Sequence, residues 1–242
     1  AIIITSDKAY DNVEQVWGYK EDDKMGGKDI YSGSKGSAEL IIKSYYHSFF
    51  KSSKSNIKLA IGRAGNVIGG GDWAKDRIVV DCMEAWSKGQ SVEIRSPEAT
   101  RPWQHVLEPL SGYLNLGTEL YGDDNFHGEA FNFGPRAEQN HTVKQLLEDL
   151  SKYWHFENVD DAFTVTDNIP FHEAGLLKLN CDKALFHFKW QANMKYKDTI
   201  RFTSEWYYDY YKNKDKSILD KTMEQISEYE NMAKEKALKW TE

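Results

Sequence analysis

Cysteine is nearly absent. Cys82 and Cys181 are the only two in 242 residues, about a hundred positions apart and in no CxxC spacing, which argues against a disulfide framework or a zinc cluster and leads to the expectation of no metal and a reducing cytoplasmic setting. Long apolar runs are also missing: no stretch of 18 apolar residues occurs, and the opening Ala1-Ile2-Ile3-Ile4-Thr5-Ser6 is apolar for only four residues with no basic segment before it. The sequence therefore predicts neither a signal peptide nor a membrane span. Positive charge is in deficit, with 31 Lys and Arg against 38 Asp and Glu, a net charge of −7, and no basic cluster. A nucleic-acid or anionic-membrane surface is not expected, and an anionic ligand would need cations placed locally. The dinucleotide fingerprint GxGxxG is lacking too. Gly62-Arg63-Ala64-Gly65 followed by Gly69-Gly70-Gly71 has the wrong spacing, and Asp72-Trp73-Ala74-Lys75-Asp76 delays any helix that would face a pyrophosphate, so this stretch reads as a substrate loop.

What is present is a packed globular composition, 40% hydrophobic and 14% aromatic. Strands are expected at 1–6, 57–63, 91–95 and 129–134, alternating with helices at 31–50, 76–88, 107–121 and 142–154. That order predicts an α/β fold, a Rossmann-type doubly wound, mainly parallel sheet, over residues 1–160 with interleaved substrate-binding segments. A smaller C-terminal substrate-binding lobe is expected over 161–212, with a possible strand at 176–179 and helices at 182–188 and 197–212. The charged tail 213–242, free of Gly and Pro, reads as a helix on the surface or against a partner. The β-branched start without an initiator Met reads like a strand from inside a sheet.

Tyr31-Ser32-Gly33-Ser34-Lys35 places a phenol and an ammonium four residues apart, on one helix face, where the cation stabilises a phenolate and makes tyrosine a usable base. The same spacing recurs at Tyr208/Lys212 and Tyr210/Lys214, so the pair alone says little. Its context singles it out: a strand ending in Thr5-Ser6-Asp7-Lys8 lies upstream, and a Gly-rich loop follows the next strand.

With these motifs the chain resembles the extended short-chain dehydrogenase/reductase family. Ser6-Asp7-Lys8-Ala9-Tyr10-Asp11-Asn12, Trp17-Gly18-Tyr19-Lys20-Glu21, the run from Arg63 to Ala74, Arg101-Pro102-Trp103-Gln104-His105-Val106 and His172-Glu173-Ala174 are similar, in order, to blocks of its NAD-dependent nucleotide-sugar 4,6-dehydratases. The resemblance implies a carbon-oxygen lyase acting on a CDP-linked glucose (CDP-glucose), with NAD as cofactor and a homodimer formed through the helix at Tyr31. It implies Tyr31 as base at the C4 hydroxyl, Lys35 as its activator, Ser6 as a hydrogen-bond partner of that hydroxyl, and Asp7 and Lys8 as acid and base of the elimination. Lys8 departs from the Asp-Glu pair of better-known relatives, so it is either the C5 base or a group that orients water or the keto oxygen. Tyr31, Lys35 and Arg63 fall to the cofactor, and Asn66 and Arg101 to the substrate diphosphate. Arg77 is a second diphosphate contact or a helix-surface residue, Trp73 and Trp103 are ligand wall or core, and His172 is a nucleotide contact or part of a turn. By the same resemblance further βα units carrying the Gly-rich turn would precede Ala1, and the 242 residues alone would expose a sheet edge and be poorly stable. A 4-epimerase, a dehydratase for another nucleotide and a non-catalytic nucleotide-sugar-binding module are the other expectations.

Overall fold

The computed structural model describes residues 1–52, 54–156, 158–166 and 176–241. In chain order its first elements are β1 (Ile2–Ser6), α1 (Ile30–Tyr45), β2 (Ala60–Ala64), β3 (Val67–Ile68), α2 (Ile78–Ser87), β4 (Val92–Ile94), β5 (Thr100–Arg101), β6 (Gln104–His105) and α3 (Leu107–Gly122). They are followed by β7 (Ala130–Phe133), β8 (His141–Thr142), α4 (Val143–Ser151), β9 (Phe163–Val165), α5 (Asp182–Phe188), α6 (Tyr196–Lys212) and α7 (Ile218–Glu235).

Three strands form the central sheet in the order β1-β2-β7, all parallel, with Ile2 opposite Ala60 and Ile61 opposite Ala130. β2 is buried along its whole length because helices cover both faces, as parallel sheets require. Alternation divides its side chains. Arg63 points to α1, whereas Gly62 lies against Tyr113 of α3, whose ring stands where a Cβ would go, 2.6 Å away. β1 pairs with β2 alone among the described strands, and Ile4 is 58% exposed.

Two apolar cores flank the site. One lies on the sheet and joins Ala60, Leu116, Leu120, Phe131, Phe133, Phe188 and Trp190. The other gathers Val79, Met83, Trp86, Ile94, Leu146, Leu150, Phe163 and Tyr207 from α2, β4, α4, β9 and α6, with Trp154 from the turn after α4. Among the described residues of 161–212, Ala184 and Phe188 of α5 pack on the sheet, Ile200, Trp206 and Tyr207 of α6 join the core with α2 and α4, and Phe202 packs with Met194.

Several boundaries differ from the sequence expectation. The strand expected from 57 begins at Ala60, after a half-exposed Ile57. The helix expected from 76 begins at Ile78, because Asp76 takes a left-handed φ of 64°. Leu179 makes only a single bridge to Tyr19 rather than a strand. The Gly-rich loop contains β3, which pairs in parallel with β6 and so brings 65–69 beside 101–106.

The charged tail packs internally. Tyr229 of α7 is buried with Met194 and Phe202. Glu108, at the start of α3, accepts the backbone N–H groups of Asn193 (2.9 Å) and Met194 and lies 3.2 Å from the Tyr229 hydroxyl. Ser111 donates to the Glu108 carbonyl and accepts from Trp190 Nε1 and, at 2.9 Å, from the Tyr229 hydroxyl. The one phenolic proton of Tyr229 is thus shared between Ser111 and Glu108 Oε2. Burial raises the Glu108 pKa to about 7, against the pull of these donors. No described helix is long and apolar enough to cross a membrane.

Candidate functional site

β1 delivers Ser6 and Asp7 to the carboxyl end of the sheet, the end where open α/β sheets bind ligands. The chain turns at once there, because Ser6 caps a single turn over Asp7–Ala9: its Oγ accepts the Lys8 N–H at 3.2 Å and donates to Asp7 Oδ1 at 2.9 Å. Asp7 is 4% exposed. Burial raises its pKa, and the Ser6 hydroxyl, Lys8 and Arg101 offset this only in part. The carboxyl lies over Gly65, where any Cβ would collide with it. Behind Gly65, Gln104 donates from Nε2 to the carbonyls of Gly65 and Phe133, both at 3.0 Å, which fixes the loop that carries the cradle. Asn66 takes a left-handed φ of 53°, tolerated by asparagine, and brings Nδ2 to 3.5 Å from Asp7 Oδ2.

α1 carries the second half of the site. Asp29 caps its start, accepting the Ser32 N–H at 2.9 Å and the Ser32 hydroxyl at 2.6 Å. Tyr31 is 57% exposed, and the Lys35 ammonium lies 5.4 Å from its ring centre, one turn on. Both line the same 940 Å³ cleft as Ser6, Asp7, Lys8, Asn66 and Arg77. Ser6, Asp7, Lys8, Tyr31 and Lys35 are therefore brought together.

The remaining expected residues are placed as follows. Arg77 lies at the cleft rim, paired with Asp72 at 3.0 Å. Arg101 donates to the Thr100 carbonyl and lines, with Lys8, an adjoining 620 Å³ pocket. Trp73 does not line the cleft: its ring packs against Trp206, Tyr207, Tyr210 and Tyr211 on α6, while Trp103 supplies the tryptophan in the cleft wall. Arg63, expected at the cofactor, also departs from its assignment. It is buried beneath the sheet, where Glu39, the Tyr10 hydroxyl and the Glu21 carbonyl take up four of its five N–H groups. His172 lies outside the described residues.

Three residues at this site were not singled out in the sequence. Glu39 follows Lys35 by one helical turn, and the signal for it was an acidic residue on that helix and an arginine in the adjacent strand. Gln104 stood inside a quoted motif without a role. Tyr113 lines the cleft beneath Gly62, its pKa raised by burial with Asp7 adding to the effect; nothing in its local sequence marks it.

In fold, the parallel sheet and its helices superpose on solved nucleotide-sugar dehydratases and epimerases. The UDP-glucuronic acid 4-epimerase of Bacillus cereus, solved with UDP-glucuronic acid and NAD, superposes with a TM-score of 0.71 at 18% identity, over 88% of this chain and 61% of that one. The dTDP-glucose 4,6-dehydratase DesIV of Streptomyces venezuelae, solved with NAD and TYD, gives 0.70 at 15% identity, over 86% and 59%. The sequence motifs point closer, and the resemblance holds: the chain is 44% identical over 231 residues to the CDP-glucose 4,6-dehydratase of Salmonella typhimurium. That match covers 93% of this chain and 62% of the relative, so the chain spans less than two thirds of the relative's length. No protein-family model matches the chain.

Proposed function

We propose that the protein dehydrates CDP-glucose to the 4-keto-6-deoxy sugar, with NAD bound beside Tyr31 and Lys35. The observation that carries this is the meeting of a buried Asp7, its pKa raised by that burial, with the Tyr31/Lys35 pair in one cleft; a 4-epimerase has no leaving hydroxyl for such an acid to protonate. The residues fit a dinucleotide. Among the described residues neither the Tyr31 phenol nor the Lys35 ammonium has a hydrogen-bond partner in the protein, which leaves both for hydroxyls of a nicotinamide ribose and a sugar. Bound NAD supplies the hydride acceptor at C4 and returns the hydride at C6.

The chain's own residues handle the protons. Tyr31, with the Lys35 ammonium 5.4 Å from its ring centre, takes the C4 hydroxyl proton as that carbon becomes a ketone, and Ser6 holds the same oxygen. The ketone acidifies C5–H, and Lys8, half-buried beside Asp7, either takes that proton from its neutral form or orients the water or keto oxygen through which the proton leaves. Asp7 passes its proton to the C6 oxygen, which leaves as water. A proton is then returned to C5 as the hydride reaches C6. Arg101, Asn66 and Arg77 are assigned to the diphosphate, where guanidinium forks suit phosphate oxygens. The exposed apolar side chains Ile41 and Tyr45 of α1 and Phe49 just after it support a homodimer in solution, and the chemistry suits deoxysugar supply for a surface polysaccharide in the cytoplasm.

The test is to incubate the full-length enzyme with CDP-glucose and NAD in D₂O and follow the sugar by NMR. A 4-keto-6-deoxy product with deuterium at C5 is expected. Turnover of a UDP, dTDP or GDP sugar instead would overturn the nucleotide; simple inversion at C4 would identify an epimerase.

A further inference from the structure

Buried charge needs a reason. Glu39 and Arg63 form an ion pair between side chains only 1% and 2% exposed, at 2.5 Å between Oε2 and Nη2 and 2.7 Å between Oε1 and Nε. A well-packed apolar pair would hold a core as firmly, since desolvating two charges offsets most of their attraction. What an apolar pair lacks is direction. Glu39 Oε1 also accepts the Thr5 hydroxyl at 2.6 Å, and Arg63 continues the chain through the Tyr10 hydroxyl (2.6 Å) to Asn132 Oδ1 (2.8 Å). One carboxylate thereby ties β1, β2 and α1 together, and the chain of hydrogen bonds extends to β7.

The places of attachment matter. Thr5 immediately precedes Ser6 and Asp7, and Glu39 sits one turn beyond Lys35 and two beyond Tyr31 on α1. The cleft has its acid on the strand and its base on the helix, and the hydrogen bond between Thr5 and Glu39 is a direct polar link between those elements. We propose that Glu39, through Thr5, is the positioning residue that sets the distance of Ser6 and Asp7 from Tyr31 and Lys35. This inference rests on the catalytic reading above.

Thr5→Val tests it, because valine keeps the shape, deletes the hydroxyl and leaves the pair of Glu39 with Arg63 in place; Thr5→Ser restores the hydroxyl. In the full-length enzyme we expect Thr5→Val to lower kcat about tenfold or more, the scale on which small misplacements act. KM and the unfolding midpoint should stay near wild type, and the limb of the pH profile on which the rate rises with pH should move to higher pH. Thr5→Ser should return both. Amide exchange of residues 35–40 supplies a readout that needs no substrate: it should quicken in Thr5→Val and not in Thr5→Ser. Wild-type kcat, pH profile and exchange in Thr5→Val would overturn the inference, as would a loss of kcat that Thr5→Ser does not recover. Inactivity of the wild-type enzyme itself would count against the catalytic reading, and the exchange result would still decide the link.

Discussion

The Ser6 hydroxyl donates to Asp7 Oδ1 at 2.9 Å, so the protonation state of Asp7 determines what Ser6 can do. With Asp7 ionised, the Ser6 proton is committed to it and Ser6 can only accept from a substrate. With Asp7 protonated, the bond can reverse and free the Ser6 proton for the sugar oxygen. Burial raises the Asp7 pKa and so favours the second state.

Asp7→Asn should therefore separate the two halves of the reaction. In the proposed mechanism, oxidation at C4 needs Tyr31, whereas expulsion of the C6 hydroxyl needs the acid. We expect overall turnover to fall by roughly 10²–10⁴-fold, the usual contribution of a general acid, while reduced nicotinamide accumulates in a single-turnover absorbance trace. Wild-type turnover of Asp7→Asn would remove the acid assignment. Because the acid works protonated, the wild-type rate should decline as pH rises through its elevated pKa.

Tyr31→Phe removes the base and should suppress both halves. No reduced nicotinamide should form, with a loss on the order of 10²–10⁴-fold, and the unfolding midpoint should be unchanged because Tyr31 is mostly exposed. Reduced nicotinamide appearing at the wild-type rate would place the base elsewhere.

Gly65→Ala places a methyl group on the Asp7 carboxyl. Overpacking of this kind costs roughly 1–3 kcal/mol, and displacement of the acid should lower kcat more than it raises KM. Thermal denaturation together with steady-state kinetics checks both; an unaffected kcat would mean that Asp7 has room to move without consequence.

Glu108 gives a signed dependence of stability on pH. Its pKa is 4.5 in an ordinary setting and about 7 when folded, raised by burial and opposed by the N–H groups of Met194 and Asn193, Tyr229 and Lys236. The folded protein thus holds a proton that the unfolded chain releases between those values. The stabilisation linked to this group is fully present below about pH 4.5 and is lost as pH rises through about 7, on the order of 3 kcal/mol in all. Glu108→Gln, neutral throughout, should lose that slope: its stability relative to wild type, read by urea unfolding, should be better at alkaline than at acid pH. An equal difference at both ends would mean that Glu108 is ionised when folded.

Much of this was legible along the chain, for reasons that vary with the residue. β1 and β7 are legible from their local apolar and aromatic runs, and α5 was read with its observed ends. The Tyr31/Lys35 pair is legible because four-residue spacing becomes a shared helix face without reference to the rest of the fold. Asp76 is less legible, since a left-handed residue at a helix entry leaves no mark on the apolar pattern. Arg63 and Trp73 were misplaced because a motif shows that a residue is kept, not which way its side chain faces. On β2 the alternation of faces sends Arg63 beneath the sheet to a partner 24 positions earlier, and the aromatic residues that hold Trp73 lie on α6, far along the chain. Glu108 was invisible for the same reason, its partners lying 85 and 121 positions away.

The second core, drawn from α2, β4, α4, β9 and α6, is built from separate stretches that alternate with those of the sheet. No single cassette of the gene encodes it. A chimera that exchanges one contiguous stretch with a relative would split that core and divide the wall of the cleft between two parents. Recombination that respects the architecture must move 76–95, 141–165 and 196–212 together, so the wall of the cleft can be retuned residue by residue more readily than it can be replaced whole.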